Sequence, residues 1–156
     1  MKRLIAVLIV FIGGMDLMTT AAADDVDDVK AAVQALYETL NKGDADGYAK
    51  LVLPGESLFL GGGGLLIRAA MTVEDIRNNL QALFDSGLKF EGQIHHLDAK
   101  VYGNAAVATY YFTGRITYTS GTILQGIFRG STILTKQAGQ WKRVHTHISR
   151  LVTEPQ

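Results

Sequence analysis

Two histidines near the carboxyl end, His145 and His147, have the residue type and spacing that most directly suggest chemistry. They are two residues apart in an apolar, β-branched run, so a strand there places both imidazoles on the same face. Such a pair can ligate zinc when a third side chain joins it, and His95 or His96 is available for that role.

Alternation along the same run predicts which face the two histidines occupy. Val144, Thr146 and Ile148 form its apolar side, which should pack against the rest of the fold. The outer face would then carry Trp141, Arg143, His145, His147 and Ser149. We therefore expect these residues to serve an interface or a structural role, and we expect no metal site.

Other kinds of site are excluded by the composition. The chain has no cysteine, which removes thiol nucleophiles, thiolate metal sites and disulfides. It contains no Ser-His-acid arrangement with a nucleophile elbow and no dinucleotide-binding glycine pattern. The tetraglycine at 61–64 lacks the Lys-Ser/Thr pair of a phosphate-binding loop, so we interpret it as a flexible or tightly turned segment. No cofactor is expected.

Charge is balanced overall but unevenly distributed. The 156 residues include 15 Lys and Arg and 15 Asp and Glu, so the net charge is zero and gives no general attraction to nucleic acid. Residues 24–91 carry 12 acids and 6 bases, whereas residues 92–153 carry 7 bases and one acid, Asp98. The basic half could concentrate a small anion. The simpler interpretation is that basic residues keep strands soluble and discourage edge pairing.

Residues 1–23 have the pattern of a secretory signal peptide. A basic start precedes the apolar run 4–12, and small residues ending at Ala23 supply a cleavage point. Nine apolar residues span about 14 Å as a helix, roughly half of a bilayer core, so a permanent membrane anchor is not expected. We expect cleavage after Ala23 and export to the periplasm or the medium. The mature chain would be one domain over 24–153 with the tail 154–156.

Three helices are predicted in the first part of the mature chain. In 24–42, apolar residues recur at helical spacing, and acidic residues crowd the start, where they favour the positive end of the helix dipole. Lys42 and Gly43 are a stop signal. Asp44 should cap a second, short helix that runs to about residue 52 and is closed by Pro54 and Gly55. A third helix begins near Thr72 and ends at Gly87.

After Phe90 the pattern changes to long β-branched and aromatic runs. The four runs are 93–102, 105–118, 122–136 and 140–152. Connections of hairpin length separate them, so they should form an antiparallel meander. The stretch 57–67 is interpreted as a short hairpin or loop. Amphipathic helices need a sheet face to cover, and the sequence therefore predicts a two-layer α+β domain.

This order of elements resembles the nuclear transport factor 2-like superfamily, with its cystatin-like fold. The segment Asn41-Lys42-Gly43-Asp44 stands between the first two helices as in that superfamily, and residues 139–149 are similar to the signature of its SnoaL-like and calmodulin-kinase association-domain branches. The resemblance covers residues 24–153. It implies a cone-shaped, curved antiparallel or mixed sheet packed on three helices, a pocket at the open end, and frequent homodimers.

The resemblance also suggests an enzymatic alternative. Ketosteroid isomerase relatives abstract a proton with a carboxylate base and hold the enolate with a tyrosine and a protonated acid. Here Asp98, the one carboxylate on the four long strands, would be the base and Tyr110 the hydroxyl donor. Asp46 or Glu56 could instead reach the mouth of the cone. A simpler interpretation makes Asp98 a solvated residue that pairs with Lys100.

The association-domain branch presents arginines into its pocket from the last two strands. Those positions are Thr132 and Ile148 here, so that anion clamp is lost. Arg129 lies nearby and could face either side, because a bulge at Gly130 would reverse the alternation. The residues expected to line the pocket are Tyr48, Phe59, Phe84, Tyr110, Phe112, Arg129, Thr132 and Thr146.

The sequence thus leads to an exported domain that binds a small, mainly apolar or weakly anionic molecule. We expect it to form a homodimer through the outer sheet face, with no nucleic-acid partner and no membrane association after cleavage. Two alternatives stay open at this point. One is an isomerase or cyclase that acts by proton abstraction, and the other is an association module without a working pocket.

Overall fold

A computed structural model describes residues 16–59, 66–68 and 72–151. Its helices are α1 (Asp16–Lys42), α2 (Ala45–Lys50) and α3 (Val73–Asp85), and its strands are β1 (Val52–Phe59), β2 (Leu66–Arg68), β3 (Lys89–Tyr102), β4 (Ala105–Thr117), β5 (Ile123–Gln137) and β6 (Gln140–Arg150). The tetraglycine, the apolar run 4–12 and the tail 154–156 lie outside the described residues.

The strands form one mixed sheet in the order β2-β1-β6-β5-β4-β3. The four long strands pair antiparallel in sequence order, which confirms the predicted meander. β1 pairs parallel with β6 and antiparallel with β2. The antiparallel pairing of residues 57–59 with 66–68 corresponds to the short hairpin that was one of the two interpretations of this stretch. The helices cover one face of this sheet, and the α+β class predicted from the sequence is confirmed.

The core-facing stripe of α1 consists of residues three or four apart. Val29, Val33 and Leu36 are at most 2% exposed, and they pack on the sheet. The C-terminal end of α1 is fastened to the sheet by Asn41, whose side-chain amide both donates to the Gly92 carbonyl (2.9 Å) and accepts from the Gly92 N–H (3.0 Å). No helix in the described ranges is long and apolar enough to cross a membrane.

The second helix is shorter than predicted. Asp44 caps it by accepting the Gly47 N–H at 2.8 Å, but α2 ends at Lys50, and the chain enters β1 at once. Pro54 and Gly55 do not close the helix; they lie inside β1, where the pairing with β6 is irregular. Proline has no backbone N–H to donate, and it is tolerated there because the interrupted ladder does not require that hydrogen bond.

The third helix begins where it was predicted. The Thr72 side chain accepts the Asp75 N–H, and the Asp75 carboxylate accepts the Thr72 N–H, which together form a capping box. Ile76 is buried and Leu80 partly buried, so this face of α3 packs inward while Leu83 stays 46% exposed.

A phenylalanine ring lies across two paired glycines of the sheet. Gly92 on β3 pairs with Gly114 on β4, and the ring of Phe112 lies over both. A Cβ on Gly92 would come within 2.1 Å of that ring, and one on Gly114 within 2.4 Å. The two glycines therefore let the aromatic side chain lie flat on the concave face, where it is 2% exposed.

A bulge in β6 corrects the predicted alternation of that strand. Leu134 pairs with Arg143 and Ile133 with His145, so Val144 is an extra residue in the ladder. Trp141 and Arg143 are consequently turned towards the helices, each 5% exposed, and do not lie on the outer face as predicted.

After the bulge the alternation follows the prediction. Thr146 is buried on the helix side, and His147 is exposed on the outer face. His145 is half-buried on the same outer side, where its Nδ1 lies 2.7 Å from the Ser57 hydroxyl.

Candidate functional site

A cavity of about 430 Å³ lies between the concave face of the sheet and the helices. Its walls are leucine, isoleucine and phenylalanine side chains, among them Leu36, Leu40, Leu80, Phe90, Phe112 and Phe128. The lining residues Leu83, Tyr118 and Thr119 are exposed and form the mouth. The buried lining residues Tyr48, Arg143 and Thr146 form the base of the pocket. The pocket is thus an apolar funnel that ends on polar groups.

Arg143 is the one charged residue among the described residues that line this pocket. Its Nε lies 2.6 Å from Glu56 Oε2, and its Nη2 lies 2.7 Å from Glu56 Oε1, so the two side chains form a bidentate ion pair. Nη2 also donates to the Tyr48 hydroxyl at 2.5 Å, and the guanidinium lies 4.9 Å from the centre of the Tyr48 ring. Glu56 is 3% exposed. The group joins β6, β1 and α2 at the base of the pocket.

The protonation states of this group follow from burial and pairing. Burial lowers the pKa of Arg143, but Tyr48 and Glu56 together outweigh it, so the pKa stands above its ordinary value and the guanidinium remains charged. Burial raises the pKa of the Tyr48 hydroxyl, and the nearby Arg143 charge offsets part of the effect. Tyr48 is therefore a neutral hydroxyl at physiological pH and can donate a hydrogen bond.

A chain of four hydroxyl groups runs beneath the ion pair. Tyr37 Oη lies 2.7 Å from Tyr110 Oη, which lies 2.9 Å from Thr132 Oγ1, which in turn lies 3.0 Å from Thr146 Oγ1. The two end members, Tyr37 and Thr146, line the pocket. Burial raises the pKa of both tyrosines, so the chain consists of neutral hydroxyls.

The described pocket lining offers hydrogen-bond donors and apolar surface but no unpaired carboxylate. Glu56 is held by Arg143 through both of its oxygens. The arrangement is therefore suited to holding a molecule with a hydrocarbon body and a polar end, and it presents no carboxylate free to act as a base.

Residues 29–153 match the family described as SnoaL-like domain. The chain belongs to this family. No curated protein has a significantly similar sequence.

Solved structures share the fold of this SnoaL-like domain at low sequence identity. A protein of unknown function from Mycobacterium tuberculosis is 19% identical, with a TM-score of 0.67 over 85% of this chain and 79% of that one. The association domain of C. elegans CaMKII is 20% identical, with a TM-score of 0.63 over 83% and 98%. A ketosteroid isomerase-like protein from Erwinia carotovora atroseptica is 16% identical, with a TM-score of 0.62 over 83% and 98%. The nuclear transport factor 2-like and cystatin-like fold is thereby shown.

The structure brings some of the predicted pocket residues of the SnoaL-like domain together. Tyr48, Phe112 and Thr146 line the pocket, and Tyr110 and Thr132 lie directly beneath it in the hydroxyl chain.

Three predicted pocket residues lie elsewhere. Phe84 is partly buried on α3 but does not line the pocket. Phe59 pairs with His147 on the outer side, and its ring centre lies 5.7 Å from that imidazole. Arg129 is exposed, and its pairing with Tyr111 and Ser149 is regular through Gly130, so it faces outward without the bulge considered there.

The candidate catalytic residues Asp98 and Tyr110 are not brought together. Asp98 is exposed on β3 and accepts the N–H of Ala99, whose own side chain is buried on the helix side. Tyr110 is 4% exposed on that inner side, so the two side chains lie on opposite faces of the sheet. The alternative base Asp46 is exposed and lies 3.6 Å from Arg77.

The histidine pair lacks the third ligand considered for it. His95 and His96 lie on β3 at one edge of the sheet, three strands away from β6, or about 14 Å. His95 is bonded to the Thr113 hydroxyl at 2.7 Å. Among the described residues, no three histidine, aspartate or glutamate side chains are grouped closely enough to hold a metal ion.

Arg143 and Tyr37 are the functional candidates that sequence reasoning missed. Strict alternation assigned Arg143 to the outer face, and the bulge that reverses it has no sequence signature in this strand. Tyr37 is next to Leu36 in the apolar stripe of α1, and a phenol among buried aliphatic residues is the signal that could have identified it.

Proposed function

We propose that this SnoaL-like domain binds a small, mainly apolar or weakly anionic molecule in its pocket. The observation that carries the proposal is a cavity of about 430 Å³ with apolar walls and a base made of Tyr48, Arg143 and Thr146. This volume lies in the range of small-molecule sites, and a few polar groups on an apolar wall are what such sites use to orient a ligand.

Enzymatic proton abstraction is the second candidate, and the geometry supports it less. One structural neighbour is named a ketosteroid isomerase-like protein, but a likeness at 16% identity extends only to the fold. Asp98 and Tyr110 lie on opposite faces of the sheet, and Glu56 is engaged by Arg143. Asp98→Ala should therefore leave ligand binding unchanged.

We further propose that the outer sheet face forms a homodimer interface. Val107, Tyr111, Ile127 and Ile133 are between 38% and 46% exposed on neighbouring strands of that face. A row of exposed apolar side chains on a sheet is typical of a protein interface. A structural neighbour is itself an association domain, which is consistent with the proposal.

Export is proposed from the leader alone. Cleavage after Ala23 would leave 156 − 23 = 133 residues and would shorten α1 to its part from Asp24 onward. Mass spectrometry of the protein from its own host tests this directly, since a mature mass that still includes residues 1–23 would contradict it.

The first experiment is native mass spectrometry of the protein purified from the compartment in which it accumulates. A discrete organic adduct is expected, and Leu83→Arg at the mouth should remove it. Val73→Arg is the matched control, because Val73 is similarly exposed on the same helix but does not line the pocket. Adducts retained equally by both variants would show that the molecule is bound elsewhere.

A further inference from the structure

The charge of Arg143 is already balanced inside the protein. Glu56 binds the guanidinium through both carboxylate oxygens, and both residues are at least 95% buried. A bidentate pair of this geometry is close to neutral as seen from the pocket. The base of the pocket therefore offers donors without a free positive charge.

Two hydrogen-bond donors of this group have no acceptor among the described residues. Arg143 uses Nε and Nη2 for Glu56 and Tyr48, and no described residue accepts from Nη1. Tyr48 accepts from Nη2 through its oxygen, and no acceptor among the described residues takes its own proton. Every buried side-chain nitrogen and oxygen in the described part of the chain has a hydrogen-bond partner. Nη1 has none among the described residues, so we take it to be accessible from the pocket that Arg143 lines.

We infer that the pocket selects neutral molecules with one hydrogen-bond acceptor, such as a ketone, ester or amide carbonyl, and that Glu56 excludes carboxylates. This inference rests on the proposed small-molecule binding and narrows its ligand class. The carbonyl oxygen would accept from Arg143 Nη1 and from the Tyr48 hydroxyl, while the hydrocarbon part lies against the apolar walls.

The discrimination follows from the cost of burying a second anion. A carboxylate that enters the base of the pocket would lose its hydration and would be repelled by Glu56. Arg143 would not compensate for this cost, because its charge is already paired with Glu56. A neutral carbonyl gives up much less hydration and still receives two hydrogen bonds. Glu56 thus acts as a specificity-determining residue without needing to contact the ligand.

Three matched probes test this inference: 2-acetylnaphthalene, 2-naphthoate and 2-ethylnaphthalene. They share one ring system and differ in the end group, which is a neutral acceptor, an anion or a hydrocarbon. Calorimetric titration of the native protein should show the ketone binding at least about tenfold more tightly than the carboxylate, and more tightly than the hydrocarbon.

Glu56→Gln should remove the preference of the pocket for the ketone over the carboxylate. The variant keeps the side-chain shape and unmasks the Arg143 charge, so carboxylate affinity should rise by about tenfold or more while ketone affinity changes little. Glu74→Gln makes the same chemical change at an exposed site on α3 and should leave all three affinities as they were. If Glu56→Gln does not fold, Tyr48→Phe is the alternative variant, because it retains the ion pair and removes one donor. It should lower the affinity for the ketone towards that for the hydrocarbon.

The outcomes separate the inference from the function on which it rests. Tighter binding of the carboxylate, or equal binding of ketone and hydrocarbon, would overturn the inference and leave small-molecule binding standing. A discrimination unchanged in a folded Glu56→Gln variant would also overturn it. Failure of all three probes to bind would contradict the proposed function itself.

Discussion

The ring of Tyr110 on β4 lies against Gly130, its pairing partner on β5. A Cβ built on Gly130 would come within 2.2 Å of the ring, so no larger residue fits while Tyr110 keeps its place. The Tyr110 hydroxyl links Tyr37 to Thr132, and the hydroxyl chain beneath the pocket therefore depends on a glycine that contributes no polar side chain.

Gly130→Ala should displace Tyr110 and destabilise the domain by about 1–3 kcal/mol, because overpacking forces the ring from its site. Urea denaturation measures the change. Gly126→Ala on the same strand is the control, since the nearest atom to its Cβ is 3.5 Å away, and it should cost clearly less. If both variants lost the same free energy of unfolding, the cause would be the alanine in the strand itself and not the displacement of Tyr110.

Removing one partner of the Arg143–Glu56 pair should cost far more than removing both. Arg143→Met leaves a buried carboxylate without its cation and is expected to lose about 3–5 kcal/mol of unfolding free energy. The double variant Arg143→Met with Glu56→Leu should recover most of that loss, as measured by denaturant unfolding. Arg77→Met breaks an exposed pair with Asp46 and should cost less than about 1 kcal/mol. A double variant no more stable than the single one would argue against a coupled pair.

Stability should fall steeply at alkaline pH. Burial, above all, raises the pKa of Tyr37, Tyr48 and Tyr110 in the folded protein above the ordinary value of 10.0. Below pH 10 these hydroxyls are neutral in both states. Above it they ionise in the unfolded chain first, so the free energy of unfolding should fall by up to about 1.4 kcal/mol per pH unit for each tyrosine.

Urea midpoints between pH 8 and pH 11 measure this loss. Tyr37→Phe should flatten the slope, whereas Tyr102→Phe, at a side chain 65% exposed, should leave it as in the native protein. Parallel slopes for the native protein and Tyr37→Phe would show that other groups cause the alkaline loss.

Charge placed on the outer sheet face should separate the proposed homodimer. Ile133→Asp places an anion within the exposed apolar row, and His147→Glu places one on the neighbouring strand of the same face. Each should lower the sedimentation coefficient to that of a monomer. Gln34→Glu adds the same charge to the exposed side of α1 and should have no effect. An unchanged sedimentation coefficient in the first two variants would contradict the interface assignment.

Local sequence signals predicted most of the fold. The repeat of Val29, Val33 and Leu36, the Thr72 cap and the turns between the β runs each act within a few residues, and the structure has the corresponding helices and hairpins. The parallel contact between β1 and β6 was not predicted, because it joins residues far apart in sequence and no turn marks it.

The base of the pocket was harder to predict for a geometric reason. One extra residue at Val144 reverses the alternation, so Trp141 and Arg143 lie on the opposite face from the one that a regular strand would give them. Glu56 and Arg143 are 87 positions apart, and the sequence around each gives no sign that the two side chains form a buried ion pair. Pocket residues such as Phe112 and Thr146 could be predicted from the sequence because they follow regular alternation.

The pair of hydrogen bonds between Asn41 and Gly92 has a consequence for the solution behaviour of the protein. β3 is an edge strand, and an exposed edge with free N–H and C=O groups can add a strand from another molecule and start aggregation. The Asn41 amide occupies both groups of Gly92, and the left-handed backbone at His96 (φ 52°) interrupts the same edge further along. Both features interrupt the free edge of β3 and so hinder growth of the sheet at that strand.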